Sequence, residues 1–189
     1  MNDRPPRYYT TTGDDGSTGL LGNERVKKYH PQPEAYGAVD EAQTALGMAR
    51  AVMGDEKAAG VVLQAQRDLY HLMAELAATR EAAPQFRRID AERVRWLEAQ
   101  TDAYGARIVL PRGFVVSGDS VAGAALDFAR TVIRRAERRV VKLYDEGYIE
   151  NSELIRYLNR LSSLAFVLAR YEDALSGRSG VTLAEGGEV

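Results

Sequence analysis

The chain has 189 residues, a length that suits one domain over residues 1–189 with a sizeable buried core. Its formal net charge of -2 creates no strong field for nucleic acid or an anionic membrane, so neither is predicted as a partner. The absence of cysteine excludes disulfides, thiolate zinc sites and cysteine nucleophiles. Residues 1–20 contain no apolar run of the kind that a signal peptide needs, and no later run is long enough for a membrane span. Together these features predict a cytoplasmic protein.

The first distinctive segment is the polar stretch TTTGDDGSTGL at residues 10–20. Glycines and hydroxyl groups of this kind can wrap phosphates through backbone N–H groups, although the spacing and the Gly-Lys-Ser/Thr ending of a Walker loop are missing. A phosphate loop also needs cations nearby, and the fold must close to supply them from Lys27, Lys28, Arg130 and Arg134. Residues 1–7, which precede the loop, are expected to be flexible.

Five helices are predicted from apolar residues that recur every three or four positions. They cover about 35–53, about 57–80, a shorter stretch that begins with Asp90 as N-cap, about 120–146, and a stretch that begins near 151 or 152. Mostly short connections favour an all-α, up-and-down bundle of five helices with a four-helix core and ferritin-like packing. Residues 108–118 are interpreted as an extended connection, and the small, polar residues 177–189 are expected to be flexible.

Three of these helices carry polar residues directly beside the apolar stripe. The rows contain Asp40 on the first helix, Arg130, Arg134 and Glu137 on the fourth, and Asn159 on the fifth. Two interpretations stay open for them. They form either a solvated face with ordinary surface ion pairs, or a polar cavity or subunit interface.

Four segments resemble the cobalamin adenosyltransferases of the propanediol-utilisation type, in order and spacing, from about residue 8 to 171. They are YTTTGDDGSTGL followed by ERVKK, YGAVDEAQTALG, FARTVIRRAERRV and RYLNRLSSLAFVLARY. The resemblance implies a homotrimer with active sites between neighbouring subunits. It implies transfer of the 5'-deoxyadenosyl group of ATP to cob(I)alamin, with release of triphosphate and with Mg²⁺ accompanying the nucleotide. A cob(II)alamin reductase and an adenosylcobalamin-dependent enzyme are the implied partners.

The resemblance also assigns roles to individual residues. Its ATP-binding residues are Thr10, Thr11, Thr12, Gly13, Asp15, Gly16, Lys28, Arg134, Glu137 and Asn159, and Glu137 is expected to face the Mg²⁺. The implied catalytic set is Arg130, Asp40 and Arg134, with Asp40 and Arg130 as a salt bridge near the subunit boundary. Phe114 is expected beneath the corrin, where it keeps a lower ligand off cobalt. Phe166 is expected either to line the same floor or to be an ordinary core aromatic.

The chain departs from the family's pattern at several positions. Thr11 stands where many relatives have a basic residue, and Ser117, Gly118 and Asp119 stand in place of Pro-Gly-Gly. Asp127 stands where a histidine is usual. Asp119 and Asp127 are expected to add negative charge on the cobalamin side. They therefore bear on corrin affinity and on the range of corrinoids accepted, rather than on ATP binding.

Two alternative functions remain. One is a helical bundle that binds ATP or cobalamin without turnover, as a carrier or sensor, and nucleotide binding without product would indicate it. The other is a di-iron carboxylate bundle of the ferritin type, which needs an acidic-x-x-His motif on two helices. The chain offers one such motif, DLYH at residues 68–71.

Overall fold

The computed structural model describes residues 8–109, 112–177 and 180–185. In this part of the chain the elements are, in order, β1 Ser17–Gly19, β2 Arg25–Lys27, α1 Pro31–Arg50, α2 Glu56–Leu76, α3 Ala83–Phe86, α4 Ala91–Gly105, α5 Val121–Asp145 and α6 Glu153–Leu175. The five long helices confirm the predicted all-α class. Across the described residues, every helix is too short or too polar to cross a bilayer. The expectation of flexible ends at 1–7 and at 178–179 and 186–189 lies outside the described residues.

The long helices begin where the local sequence supplies a cap. Asp90 accepts hydrogen bonds from the backbone N–H groups of Glu92 and Arg93, both at 2.9 Å, as its position predicted. Helix α1 begins earlier than expected because a proline occupies its first turn, where the missing N–H does no harm. Helix α2 ends at Leu76 rather than near residue 80 because the Gln32 amide donates to the carbonyl oxygens of Leu76 and Ala78.

A short antiparallel hairpin precedes the bundle and was not predicted from the sequence. Strands β1 and β2 pair with Thr18 opposite Val26, and each strand has three residues. Strands this short carry no visible alternation of apolar and polar residues, so the sequence gives no signal for them. The hairpin matters because it closes the base of the polar loop at residues 10–16.

The bundle is arranged so that α1 packs against α2 and α5, while α6 packs against α5 and α4. Helix α1 contributes mainly alanines to the core, including the fully buried Ala35, Ala42 and Ala49, and such small residues let neighbouring helices approach closely. Ion pairs join Glu34 to Arg139 and Glu41 to Arg135, which fixes α1 antiparallel to α5. The polar residues that the sequence singled out lie on three of these helices, Asp40 on α1, Arg130, Arg134 and Glu137 on α5, and Asn159 on α6.

Candidate functional site

The polar loop and the hairpin enclose an open cavity of about 440 Å³. It is lined by Tyr9, Thr10, Thr11, Thr12, Gly13, Asp14, Ser17, Thr18, Gly19, Arg25 and Lys28. The backbone turns sharply, with positive φ angles of 58° at Thr11 and 76° at Gly16. Within the described residues, the backbone N–H groups of Thr12, Gly13 and Asp15 have no acceptor. Such free donors in a small concave loop are suited to an anion.

The loop is held in shape by its own side chains. Arg25 donates from Nη2 to the Thr12 carbonyl at 3.0 Å and to Ser17 Oγ at 2.6 Å. Asp15 accepts hydrogen bonds from the backbone N–H and the hydroxyl of Ser17, both at 2.8 Å. The hydroxyl bond from Ser17, more than the backbone bond, lowers the pKa of Asp15. Asp15 therefore shapes the loop as an ionised acceptor, and Arg25 is a brace that sequence reasoning did not single out although ERVKK contains it.

Lys28 lies directly against the loop. A Cβ added to Gly13 would come within 3.1 Å of Lys28 Nζ, so the glycine leaves the space that the ammonium group occupies. The backbone N–H of Lys28 donates to the Gly16 carbonyl at 2.9 Å, which ties the end of β2 to the loop. The structure thus brings together the loop residues and the cation that the sequence assigned to them.

A second polar group lies in the groove between α5 and α6. Asn159 donates from Nδ2 to Glu137 Oε1 at 2.9 Å, and its Oδ1 accepts from Arg160 at 2.9 Å, so the amide is fixed on both sides. The other oxygen of Glu137 has no partner within the described residues. Arg134, one turn before, is exposed and forms no ion pair or hydrogen bond with any described residue. No residue of α5 or α6 lines the loop cavity, so within one chain these two polar groups form separate surfaces.

The expected pair of Asp40 and Arg130 is not formed within a single chain. Asp40 is exposed on α1 and has no ion-pair partner among the described residues. Arg130 Nε lies 3.6 Å from Asp127 Oδ1 instead, because the two residues are three positions apart on α5 and share a face. Arg130 Nε is buried, and it has no hydrogen-bond acceptor in the part of the chain that the structure describes. The salt bridge between Asp40 and Arg130 near the subunit boundary stays a prediction.

Asp127 belongs to a buried cluster of charges where α5 and α6 meet. Arg170 donates to Asp127 Oδ2 at 2.7 Å and to Asp173 Oδ2 at 2.9 Å, and Asp173 Oδ1 accepts from the Ser120 hydroxyl at 2.7 Å. Arg170 is only 3% exposed. The charge of Asp127 is thus compensated inside the chain, which differs from the expectation that it faces the cobalamin side. Sequence reasoning missed Arg170, although an arginine in an apolar run three residues before an aspartate is a signal for a buried ion pair.

The loop that carries Phe114 is paired with the C-terminal segment. The backbone N–H of Ala184 donates to the Phe114 carbonyl at 2.8 Å, and that of Val116 donates to the Thr182 carbonyl at 2.9 Å. Asp119 is buried and accepts from the backbone N–H and the hydroxyl of Thr182 at 2.9 and 2.7 Å. The composition of this part of the tail predicts flexibility, whereas the structure pairs Thr182 and Ala184 with the loop that carries Phe114. Composition does not reveal these pairings because the partners are distant in sequence. The Phe114 ring itself is 86% exposed.

Phe166 lies on α6, half-buried against the hydrophobic core. The Arg170 guanidinium lies over its ring, 5.3 Å from the centroid. This placement agrees with an ordinary core aromatic, one of the two interpretations of the sequence. Because the residue is only partly buried, its role in the floor beneath the corrin stays a prediction.

The described residues offer no ligand set for a di-iron centre. Among them, no group of three or more His, Asp or Glu side chains is arranged to hold a metal ion. Asp68 of the DLYH motif accepts from the Tyr157 hydroxyl at 2.7 Å and forms an ion pair with Arg93. Its carboxylate therefore joins α2 to α6 and α4.

Comparisons with known proteins agree on one family. The family model for cobalamin adenosyltransferase matches residues 8–172. The corrinoid adenosyltransferase PduO of Salmonella typhimurium is 41% identical over 167 residues, 88% of this chain, and the chain spans only 49% of that relative's length. The corrinoid adenosyltransferase of Bacillus subtilis is 38% identical over 175 residues, which cover 90% of this chain and 89% of the relative. A variant of the PduO-type ATP:corrinoid adenosyltransferase from Lactobacillus reuteri, solved with cobalamin and ATP, superposes with a TM-score of 0.87 at 27% identity over 97% of this chain and 100% of that one.

Proposed function

Because the chain belongs to the cobalamin adenosyltransferase family, we propose that it transfers the 5'-deoxyadenosyl group of ATP to cob(I)alamin. The observation that carries the proposal is the loop cavity with its free N–H groups and the adjacent Lys28. In this reaction the cobalt electron pair forms the bond to C5' while the bond from C5' to the phosphate oxygen breaks. Cobalt is oxidised from Co(I) to Co(III), and triphosphate leaves with the electron pair of the broken bond. The protein must therefore orient ATP and stabilise the charge of the leaving triphosphate.

On the nucleotide side, we assign phosphate binding to the free N–H groups of the loop and to the ammonium of Lys28. The Thr10, Thr11 and Thr12 hydroxyls line the same cavity and add polar contacts. Arg134, which has no partner among the described residues, would add a second positive charge from α5.

The Mg²⁺ that accompanies ATP fits the residues present. Mg²⁺ is usually bound by one or two carboxylates together with phosphates and water. Glu137 offers one unpartnered carboxylate oxygen, and Asn159 fixes the direction of that carboxylate through the other oxygen. Bound Mg²⁺ would offset phosphate charge, and Glu137 would hold it close to Arg134 on the same helix.

On the corrin side, we assign the main contact to Phe114. Its ring is 86% exposed although the loop beneath it is fixed by backbone pairing, so an apolar surface is held ready for a partner. Covering such a ring contributes about 1.5–3 kcal/mol. A phenyl ring beneath the corrin would keep water and a lower ligand away from cobalt, and Phe166 would extend the same floor.

We also propose that the chain acts as a homotrimer whose sites lie between copies. Met48 lies seven residues after Glu41, and Phe128 lies seven residues before Arg135, so both lie on the α1–α5 flank that the Glu41–Arg135 pair marks. Met48 is 62% and Phe128 56% exposed, which favours burial against another protein surface. A closed ring of identical copies would cover this flank in each of them. The same contact would bring the loop of one copy to α5 and α6 of the next.

The direct test is an anaerobic reaction of the purified protein with Mg-ATP and chemically reduced cob(I)alamin. Adenosylcobalamin is followed by its visible spectrum, and triphosphate is assayed in parallel. Formation of both products in equal amounts supports the proposal. Binding of ATP without either product would favour the carrier or sensor instead. The carrier or sensor is supported mainly by the extra acids Asp119 and Asp127. That support is weaker because Thr182 and Arg170 bind these two carboxylates within the chain.

The shared site is tested by coexpressing Lys28→Ala and Arg134→Ala chains. Neither variant alone has a complete site, whereas a mixed trimer contains interfaces in which the intact loop meets the intact α5. Random mixing gives about a quarter of the wild-type number of complete sites. Recovery of activity near that level supports a site between copies, and no recovery in a trimer that is shown to be mixed would place both residues in one chain.

The proposed reaction also implies two partner enzymes. A cob(II)alamin reductase must supply cob(I)alamin, and an adenosylcobalamin-dependent enzyme must use the product. We propose the cytoplasm as the location, on the sequence features described above.

A further inference from the structure

Arg130 contributes to the balance of positive and negative charges in the cluster where α5 and α6 meet. We define the cluster as Asp127, Arg170, Asp173 and Arg130. The two carboxylates are 3% and 2% exposed, and Arg170 alone neutralises only one of them. Buried charges are strongly unfavourable unless they are paired. Arg130, with Nε at 3.6 Å from Asp127, supplies the second positive charge.

The two ends of the Arg130 side chain lie in different surroundings. Its Nε is buried, whereas the side chain as a whole is 32% exposed, so the accessible atoms are others than Nε. Asp127 is itself fixed, because Oδ2 accepts from Arg170 at 2.7 Å and only Oδ1 is left to face Arg130. Arg170 is in turn fixed by Asp173, which holds the Ser120 hydroxyl at the start of α5.

We propose that Asp127 is a positioning residue for Arg130. Arg170 orients the Asp127 carboxylate, the carboxylate attracts Nε, and the terminal nitrogens of Arg130 remain free for the site between copies. This inference rests on the proposed function, since it gives Arg130 a role in turnover. Asp127, which replaces the usual histidine, then acts through Arg130 and does not touch cobalamin.

The perturbation is Asp127→Asn, which keeps the side-chain size and the contact with Arg170 but removes the charge that attracts Nε. We expect kcat to fall roughly 10-fold, because the loss of the negative charge 3.6 Å from Nε leaves Arg130 less well positioned. The KM for ATP should stay within about twofold, since the phosphate loop is unchanged. The matched control is Asp173→Asn, which removes the same charge from the same cluster but contacts Arg170 and Ser120, and not Arg130. It should lower the melting temperature and reduce kcat by less than Asp127→Asn does, because Asp173 reaches Arg130 only through Arg170 and Asp127.

A double-mutant cycle that combines Asp127→Asn with Arg130→Gln tests whether Asp127 acts through Arg130. If Asp127 acts through Arg130, Asp127→Asn slows the reaction in the wild-type background and has little further effect once Arg130 is replaced. Equal losses of kcat in the two aspartate variants, or independent losses from Asp127→Asn and Arg130→Gln, would overturn the proposal. The same cycle is measured by urea unfolding, which needs no activity. If the wild-type chain makes no product, the proposed function fails, and the presence or absence of coupling in unfolding decides whether Asp127 holds Arg130.

Discussion

Replacing Gly123 by alanine is expected to destabilise the protein even though alanine is the better helix former. A Cβ at this position would lie 2.0 Å from Asp173 Oδ1 and 2.8 Å from Ser120 Oγ. Those two oxygens are hydrogen-bonded to each other at 2.7 Å, and Arg170 holds the far side of Asp173. The carboxylate therefore cannot turn away without breaking contacts inside the buried cluster.

The magnitude follows from the bonds that must break. Loss of a hydrogen bond to the charged Asp173 costs about 1.5–3 kcal/mol. Displacement of Ser120, whose hydroxyl caps α5 by accepting from the Gly123 N–H at 2.9 Å, adds about 0.5–2 kcal/mol. The higher helix propensity of alanine offsets about 1 kcal/mol. The expected net loss in the free energy of unfolding is about 1–4 kcal/mol, from these estimates together.

The assay is urea unfolding followed by far-UV circular dichroism. Gly60→Ala is the matched control, because Gly60 is an exposed position of α2 and an added Cβ meets no atom within 4 Å. That variant should be more stable than wild type by about 0.5–1 kcal/mol. If Gly123→Ala were as stable as Gly60→Ala, the close packing of α5 against Asp173 would be refuted.

Three further changes test the nucleotide side, the corrin side and the core. Arg134→Ala should lower turnover roughly 10²–10³-fold in the anaerobic assay, and an unchanged rate in a folded trimer would reject its role at the triphosphate. Phe114→Ala should leave ATP affinity in calorimetry nearly intact while weakening the spectrum of four-coordinate cob(II)alamin, and a large loss of ATP affinity would place this residue on the nucleotide side. Burial raises the pKa of Glu75 in the folded state above its ordinary 4.5. Between the ordinary pKa and the raised one, the native state binds more protons than the unfolded state, so stability falls as the pH rises through that window. Glu75→Gln should remove this fall in urea unfolding measured from pH 4.5 upward, and a slope equal to that of wild type would contradict the assignment.

The helices were predictable because their core residues repeat at helical spacing over many turns. The ends of the helices were less predictable. Helix α2, for example, ends where the side-chain amide of Gln32, which is distant in sequence, donates to the Leu76 carbonyl. The hairpin at the loop was missed because its strands are too short to show a pattern.

The site was predictable only in part, for a related physical reason. Lys28 follows the polar loop closely, so the chain itself keeps the two together. Arg170 and Asp127 are 43 residues apart, and their pairing depends on the register of α5 against α6, which periodicity does not fix. Asp119 and Thr182 are likewise 63 residues apart. Contacts of this kind require the packed bundle before they can be seen.

Those long-range contacts change the meaning of the acidic departures from the family's pattern. Counted along the sequence, Asp119 and Asp127 make the corrin side more negative. In the folded chain, Asp119 binds the backbone N–H and hydroxyl of Thr182, and Asp127 pairs with Arg170, so both carboxylates are buried. On the corrin side the exposed departure is Ser117, and the glycine that follows it, Gly118, has a φ of 130°, a conformation that few residues other than glycine adopt. On the proposed function, Ser117 and Asp119 therefore act through the shape of the loop that carries Phe114, and Asp127 acts through Arg130, rather than by adding charge against the corrin.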